Sequence, residues 1–290
     1  MYLATSLTEA DLEAYFQRIG YAGSRTPTLA TLQGIHQRHP QAIAFENLSS
    51  FLGQPVELDL PSLVQKLVYG GRGGYCFEQN GLLLSVLTTL GFRVTGLGGR
   101  VRWQTPPDIL TSRSHMALLV DLEGESYIAD VGFGGMTLTA PLRLVSDLEQ
   151  ETSHERFRLV QSDQGFTIQS YVQDWEPLYQ FDLQPQYLCD YRVSNWYVST
   201  HPESIFVSGL IVTRVDSDRR YILRNTQLIT HAMTGQTEKQ PLTSVEQLEA
   251  VLTDVFRLKL PETRDFSQLF LAQAQRESQV SSSVRVKSTD

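Results

Sequence analysis

Arg72-Gly73-Gly74-Tyr75-Cys76-Phe77-Glu78-Gln79-Asn80 is the stretch from which the rest of the chain is read. Its glycines permit a tight turn and the close approach of a second backbone. The residues that follow, Phe77 to Leu90, carry apolar side chains at a spacing that predicts a buried helix. Cys76 therefore opens a helix, where the positive end of the dipole favours a thiolate. A free cysteine is more often a small buried hydrophobe. Two glycines are costly in regular structure, however, and this setting points to a reactive thiol.

Upstream, the pattern is helical. Thr8 with Asp11 forms an N-terminal cap ahead of Leu12, Tyr15, Phe16 and Ile19, and Gly20 ends the run. A second helix starts near Thr28 with Leu29, Leu32 and Ile35 on one face. A third follows Pro61 and stops at Gly70-Gly71. Downstream of Gly91 the period becomes two. Short strands are expected over 92–95, 100–103, 116–121, 127–131, 156–160, 166–171, 210–215 and 221–224. Strands so closely spaced make an antiparallel barrel or sandwich, not βαβ units. Near the end, Ser244 and Gln247 cap a last helix with the stripe Val245, Leu248, Val251, Leu252, Val255 and Phe256. The chain is α+β.

A thiol nucleophile needs a base, and a base needs an orienting group. His115 heads the apolar run Met116-Ala117-Leu118-Leu119-Val120, and Asp130 ends Tyr127-Ile128-Ala129. A buried carboxylate requires a partner. If the two runs pair around the turn Leu122 to Glu125, His115 and Asp130 meet at the same end of a hairpin. One histidine chosen blindly from six is usually structural; the hairpin is what raises this one.

Composition narrows the function. With 290 residues, 41% hydrophobic and 19% charged, the chain suits two or three packed units. A net charge of −8 and no basic stripe exclude nucleic acid as a partner. No apolar window is long enough to span a membrane, and no targeting segment is visible at the start. Two cysteines suit a reducing cytoplasm, with a Cys76–Cys189 disulfide as the alternative. The glycine run 70–74 lacks the Lys-Ser/Thr of a phosphate loop. His36 and His39 share a helix face without the further ligands of a metal site, so no metal is expected. The aromatic residues from Trp175 to Tyr197 read as core. Oligomeric state leaves no mark.

The run Arg72 to Asn80, Ser114-His115 and Asp130-Val131-Gly132-Phe133-Gly134-Gly135 together resemble the arylamine N-acetyltransferases. So do Ala44-Phe45-Glu46-Asn47-Leu48 and Tyr15 to Tyr21. The likeness runs over about residues 10–225. It implies a helical bundle (1–90) carrying Cys76, a β-barrel (91–200) carrying His115 and Asp130, and a C-terminal α/β lid (201–275); the composition of 276–290, rich in Ser, Gln and charge, marks a disordered tail. The core would be of the cysteine-protease type. The resemblance implies ping-pong transfer of acetyl from acetyl-CoA to an arylamine, arylhydrazine or N-hydroxyarylamine. Cys76 would be the nucleophile, His115 the base and Asp130 the orienting carboxylate. Phe45, Phe133 and Phe206 would line the acceptor pocket. Ser114, Gly132, Phe133 and Gly134 would receive the pantetheine arm, and Arg72 with Glu46 would form an ion pair beneath the cysteine. The chain departs from the family pattern at Ala44, at Ser112-Arg113-Ser114 and at Gly99, positions that bear on pocket shape and acceptor preference. A transglutaminase-like or papain-like thiol amidase is the competing reading of the same three groups.

Overall fold

The computed structural model describes residues 6–260. Helix α1 (Glu9–Ile19) begins where Thr8 accepts from the Asp11 amide at 3.1 Å and ends at left-handed Gly20, burying Leu12, Tyr15, Phe16 and Ile19. Helix α2 (Leu29–Ala42) is capped by Thr28. Strand β1 (Phe45–Glu46) and the short helices α3 (Leu48–Phe51) and α4 (Leu60–Leu63) follow. The latter runs into a π-helical turn, Val64–Tyr69, that stops at Gly70. Helix α5 (Cys76–Thr89) lies at the centre: Leu82, Leu83, Val86 and Leu87 are fully buried. Each such side chain stabilises the fold by about 1.5–3 kcal/mol relative to exposure.

The β middle is one antiparallel sheet of eight strands. It comprises β2 (Arg93–Val101), β3 (His115–Leu122), β4 (Glu125–Ala129), β5 (Leu142–Arg143), β6 (Gln150–Glu151), β7 (Arg156–Ser162), β8 (Gly165–Tyr171) and β9 (Trp175–Pro185), in the order β5-β4-β3-β2-β9-β8-β7-β6. The segment 142–151 pairs with β4 at its start and with β7 at its end, and Ser146 bridges Leu159 between them. The sheet thus curls into a nearly closed barrel around Leu97, Ile128, Leu138, Phe157, Leu159, Ile168 and Leu178. The expected hairpin exists: β3 and β4 pair with Leu118 opposite Ala129, turning through Glu123 and Gly124, both at positive φ. Successive residues of β3 face opposite ways. Ala117 joins the barrel core, while Met116, Leu118 and Val120 join the core shared with the helices.

Helices α6 (Leu188–Thr200) and α7 (Ile205–Ser208) come next. Although α6 falls within the stretch 91–200 read as barrel, its Tyr191 and Val198 pack into the helical core. A second sheet is ordered β1-β10-β11-β12-β13, with β10 (Ile211–Val215), β11 (Arg219–Arg224), β12 (Gln227–Ala232) and β13 (Thr237–Pro241). Helix α8 (Val245–Ala250) starts at Ser244, which accepts from the Gln247 amide at 3.3 Å. With Leu252 and Phe256 it covers that sheet over Ala44, Leu48, Val212 and Leu223. The C-terminal unit therefore takes its edge strand from residues 45–46. The expected tail at 276–290 and the last part of the lid, 261–275, lie outside the described residues.

Candidate active site

Cys76 is the first residue of α5, with Tyr75 as the N-terminal cap position. The Glu78 carboxylate reaches back to the Tyr75 amide at 3.1 Å and is paired with Lys66 at 2.6 Å. The turn ahead of it is held by close backbone packing. A Cβ at Gly73 would lie 2.0 Å from the Ala44 carbonyl oxygen, which only glycine avoids. Gly74 bridges Phe45, and Arg72 pairs with buried Glu46 at 2.8 Å. The expected ion pair beneath the cysteine is present.

His115 and Asp130 have the same strand parity as Ala117 and Ile128 and lie at the open end of the β3–β4 hairpin. His115 Nε2 meets Asp130 Oδ2 at 2.7 Å, with both side chains buried. Nδ1 is left for the thiol, and Cys76 Sγ also donates to the Ser114 carbonyl at 3.7 Å. Burial opposes charge on the imidazole, but the Asp130 charge and hydrogen bond, then those of Cys76, push His115 up to about 10. Burial likewise opposes charge on Asp130. The His115 charge and hydrogen bond, Asn80 and the Gly132 amide outweigh it and hold the carboxyl below its ordinary value. Each of the two groups thus favours the charged form of the other.

Three residues outside the expected set complete the arrangement. Asn80, one turn after Cys76, donates to the Met116 carbonyl at 2.7 Å and to Asp130 Oδ1 at 2.8 Å, and accepts from the Val131 amide at 3.0 Å. Its spacing of four from Cys76 was the available signal. Tyr179, on β9, packs at a tilt against His115 with centroids 4.5 Å apart; burial, then the Asp130 charge, holds its hydroxyl well above the ordinary value. His36 accepts from the Asp130 amide at 3.1 Å, and burial pushes it down to about 3. Its helix neighbour His39 is pushed down to about 4 by burial. His39 Nε2 lies 2.6 Å from Gln79 Oε1 and its Nδ1 2.8 Å from the Tyr15 hydroxyl. Gln79 in turn donates to the Ala44 and Gly74 carbonyls. The two histidines thus brace the site from behind. No group of three or more metal-ligating side chains occurs among the described residues.

The glycine segment after Asp130 lies directly on Cys76. A Cβ at Gly132 would approach Cys76 Cα to 2.8 Å and Asn80 Nδ2 to 3.0 Å, so the strand end is glycine by necessity. The Gly132 amide donates to Asp130 Oδ1 at 2.9 Å. Phe133 packs edge-on to His115, centroids 5.2 Å apart, and against Tyr179. Phe45 and Phe206 pack on each other at 5.9 Å, and Phe206 on Tyr75 at 5.4 Å. The three phenylalanines therefore form two groups that adjoin where Gly134 faces the Phe45 ring. Asn47 fixes Phe206 by donating to its carbonyl and that of Gly209. Both cysteines are free, Cys76 buried and Cys189 exposed. Among the described residues no helix is long and apolar enough to cross a membrane.

A buried thiol, an imidazole and a carboxylate in series have the order that thiol-nucleophile chemistry requires. A family model described as N-acetyltransferase matches residues 28–265. The arylamine N-acetyltransferase of Escherichia coli K12 is 42% identical over 255 residues, covering 87% of this chain and 90% of that protein. Human arylamine N-acetyltransferase 1 is 32% identical over 275 residues, covering 86% and 94%. The solved structure of the Mycobacterium marinum arylamine N-acetyltransferase in complex with CoA superposes with a TM-score of 0.86 at 41% identity, over 89% of this chain and 98% of that one. The chain belongs to the arylamine N-acetyltransferase family.

Proposed function

We propose that the chain transfers an acetyl group from acetyl-CoA to an arylamine, arylhydrazine or N-hydroxyarylamine by a ping-pong route through a Cys76 thioester. The observation that carries it is the Cys76–His115–Asp130 series on a chain of this family. Both cysteines are free, which suits a reducing cytoplasm as the site of the reaction.

The residues fit the chemistry. His115 Nδ1 takes the Cys76 proton while Asp130 on Nε2 fixes the tautomer and stabilises the imidazolium. The Cys76 thiolate attacks the acetyl carbonyl. The amides of Cys76 and Phe77, which begin α5 and have no carbonyl one turn back within the helix, are donors for the tetrahedral oxyanion. His115 returns its proton to the departing thiol, leaving acetyl on Cys76. In the second half, His115 accepts a proton from the attacking amine, the thioester breaks, and Cys76 leaves as thiolate. Ser114, Gly132, Phe133 and Gly134 are assigned to the pantetheine arm. Gly132 presents bare backbone beside Cys76 and Gly134 beside the Phe45 ring, which suits a slender ligand. Phe45 and Phe206, with Phe133 adjoining, are assigned to the aromatic acceptor.

Intact-mass measurement after incubation with acetyl-CoA tests the reading. One acetyl group on Cys76, discharged by an arylamine, is expected. No acetylation, or hydrolysis of amide substrates instead, refutes it in favour of a thiol amidase.

A further inference from the structure

Arg220 belongs to β11 in the C-terminal sheet, yet its side chain is only 3% exposed and reaches into the barrel. Nε and Nη2 grip the Glu155 carboxylate at 2.8 and 2.5 Å. Nη1 donates to the Gly135 carbonyl at 3.2 Å, and Nη2 also to the Thr137 carbonyl at 3.0 Å. Those carbonyls lie on the segment that leaves Asp130 and carries Gly132, Phe133 and Gly134. From the inside, the same segment is held by Thr137: its amide donates to the Gly134 carbonyl at 3.1 Å, and its hydroxyl donates to the Asp130 carbonyl and accepts from the Phe133 amide, both at 3.3 Å.

A guanidinium is a planar fork, so four bonds to one side chain fix Glu155 and two peptide planes relative to one another. Among the described residues Arg220 makes no hydrogen bond to Cys76, His115 or Asp130. It grips the far end of the glycine segment, at Gly135 and Thr137, whereas Asn80 and His36 hold its start at Asp130 and Val131.

We propose that Arg220 is a positioning residue for the acyl donor: it holds the segment Gly132 to Gly135 in the shape that receives the pantetheine arm. The proposal rests on the assignment of that segment to the donor made above. It predicts an effect confined to donors that have a pantetheine arm. A brace that merely joins sheet to barrel would disturb all donors alike.

Single-turnover acetylation of Cys76 separates the two, with acetyl-CoA and p-nitrophenyl acetate as alternative donors. For Arg220→Met the half-saturating acetyl-CoA concentration should rise ~10-fold or more, while acetylation from the p-nitrophenyl ester stays within about twofold of the parent. Equal losses with both donors, or no change with either, overturn the proposal. If Arg220→Met does not fold, Glu155→Gln carries the test. It loosens the grip on the same side chain, and the same split in smaller measure is expected; its absence overturns the proposal. A parent protein acetylated by the ester but not by acetyl-CoA would instead refute the functional reading beneath, a distinct result.

Discussion

Asp130→Asn is a stringent perturbation because the surroundings of Asp130 dictate how an amide must sit. One carboxylate oxygen accepts from Asn80 Nδ2 at 2.8 Å and the Gly132 amide at 2.9 Å; the other meets His115 Nε2 at 2.7 Å. An asparagine has one oxygen to offer. If it faces His115, its NH2 confronts two fixed donors, each left unsatisfied at about 1–3 kcal/mol. If it faces Asn80 and Gly132, its NH2 points at His115 and forces the ring proton onto Nδ1. That nitrogen then cannot take the thiol proton. The second arrangement is favoured by about 2–6 kcal/mol, and recovering the working tautomer costs about that much, a ~30- to ~25,000-fold effect. Loss of the Asp130 charge also lowers His115 from about 10. The rate of Cys76 acetylation should therefore fall ~10²- to ~10⁴-fold, as tautomer errors do in serine-protease triads. Rapid-quench single turnover with mass detection, normalised to the folded fraction from a thermal scan, measures it. A variant that melts early yet acetylates at a near-normal rate per folded molecule would show that Asp130 is only a structural partner.

Phe45→Ala should still take acetyl from acetyl-CoA at a near-normal rate but pass it poorly to arylamines, losing about 3 kcal/mol or less in kcat/KM of the second half-reaction. Collapse of the first half-reaction with the second unchanged would move Phe45 to the donor site or the fold. Stability should peak near pH 6.5. His36 and His39 have folded pKa values lowered from 6.5 to about 3 and about 4 by burial. The unfolded chain therefore takes up these protons first, and stability falls as pH drops below 6.5, by up to ~1.4 kcal/mol per pH unit for each. His115 has the opposite sign: raised from 6.5 to about 10, its contribution is complete below 6.5 and is lost as pH rises through about 10. A melting temperature that stays flat from pH 6.5 to 4.5 would refute the buried, neutral assignment of the two histidines.

What was legible in the sequence was what local rules write down. The Thr8 and Ser244 caps, the start of α5 at Cys76 and the β3–β4 hairpin each follow from a few neighbouring residues. Strand β2 was read as two pieces because Gly96, Gly98 and Gly99 interrupt its alternation; in the fold they are the places where Tyr191, Gln186 and Tyr179 press against it. Strand β9 escaped because Pro177 and register irregularities with β8 and β2 break its period, and Tyr179 escaped with it. Helix α6 has Val193 and Trp196 in solvent and Asn195 inside, the reverse of the pattern that announces a helix. His36 bonds an amide 94 residues away, a contact no local pattern encodes.

Asn80 sets a ruler between the nucleophile and the barrel. The amide that ties Met116, Asp130 and Val131 together sits four residues beyond Cys76, a rise of ~6 Å along an α-helix. The separation of Cys76 from His115 is thus inherited from the pitch of one helical turn. Residues of β1 and α7 lie off that gauge. Substitutions there, at Phe45 or Phe206, leave the spacing between Cys76 and His115 untouched.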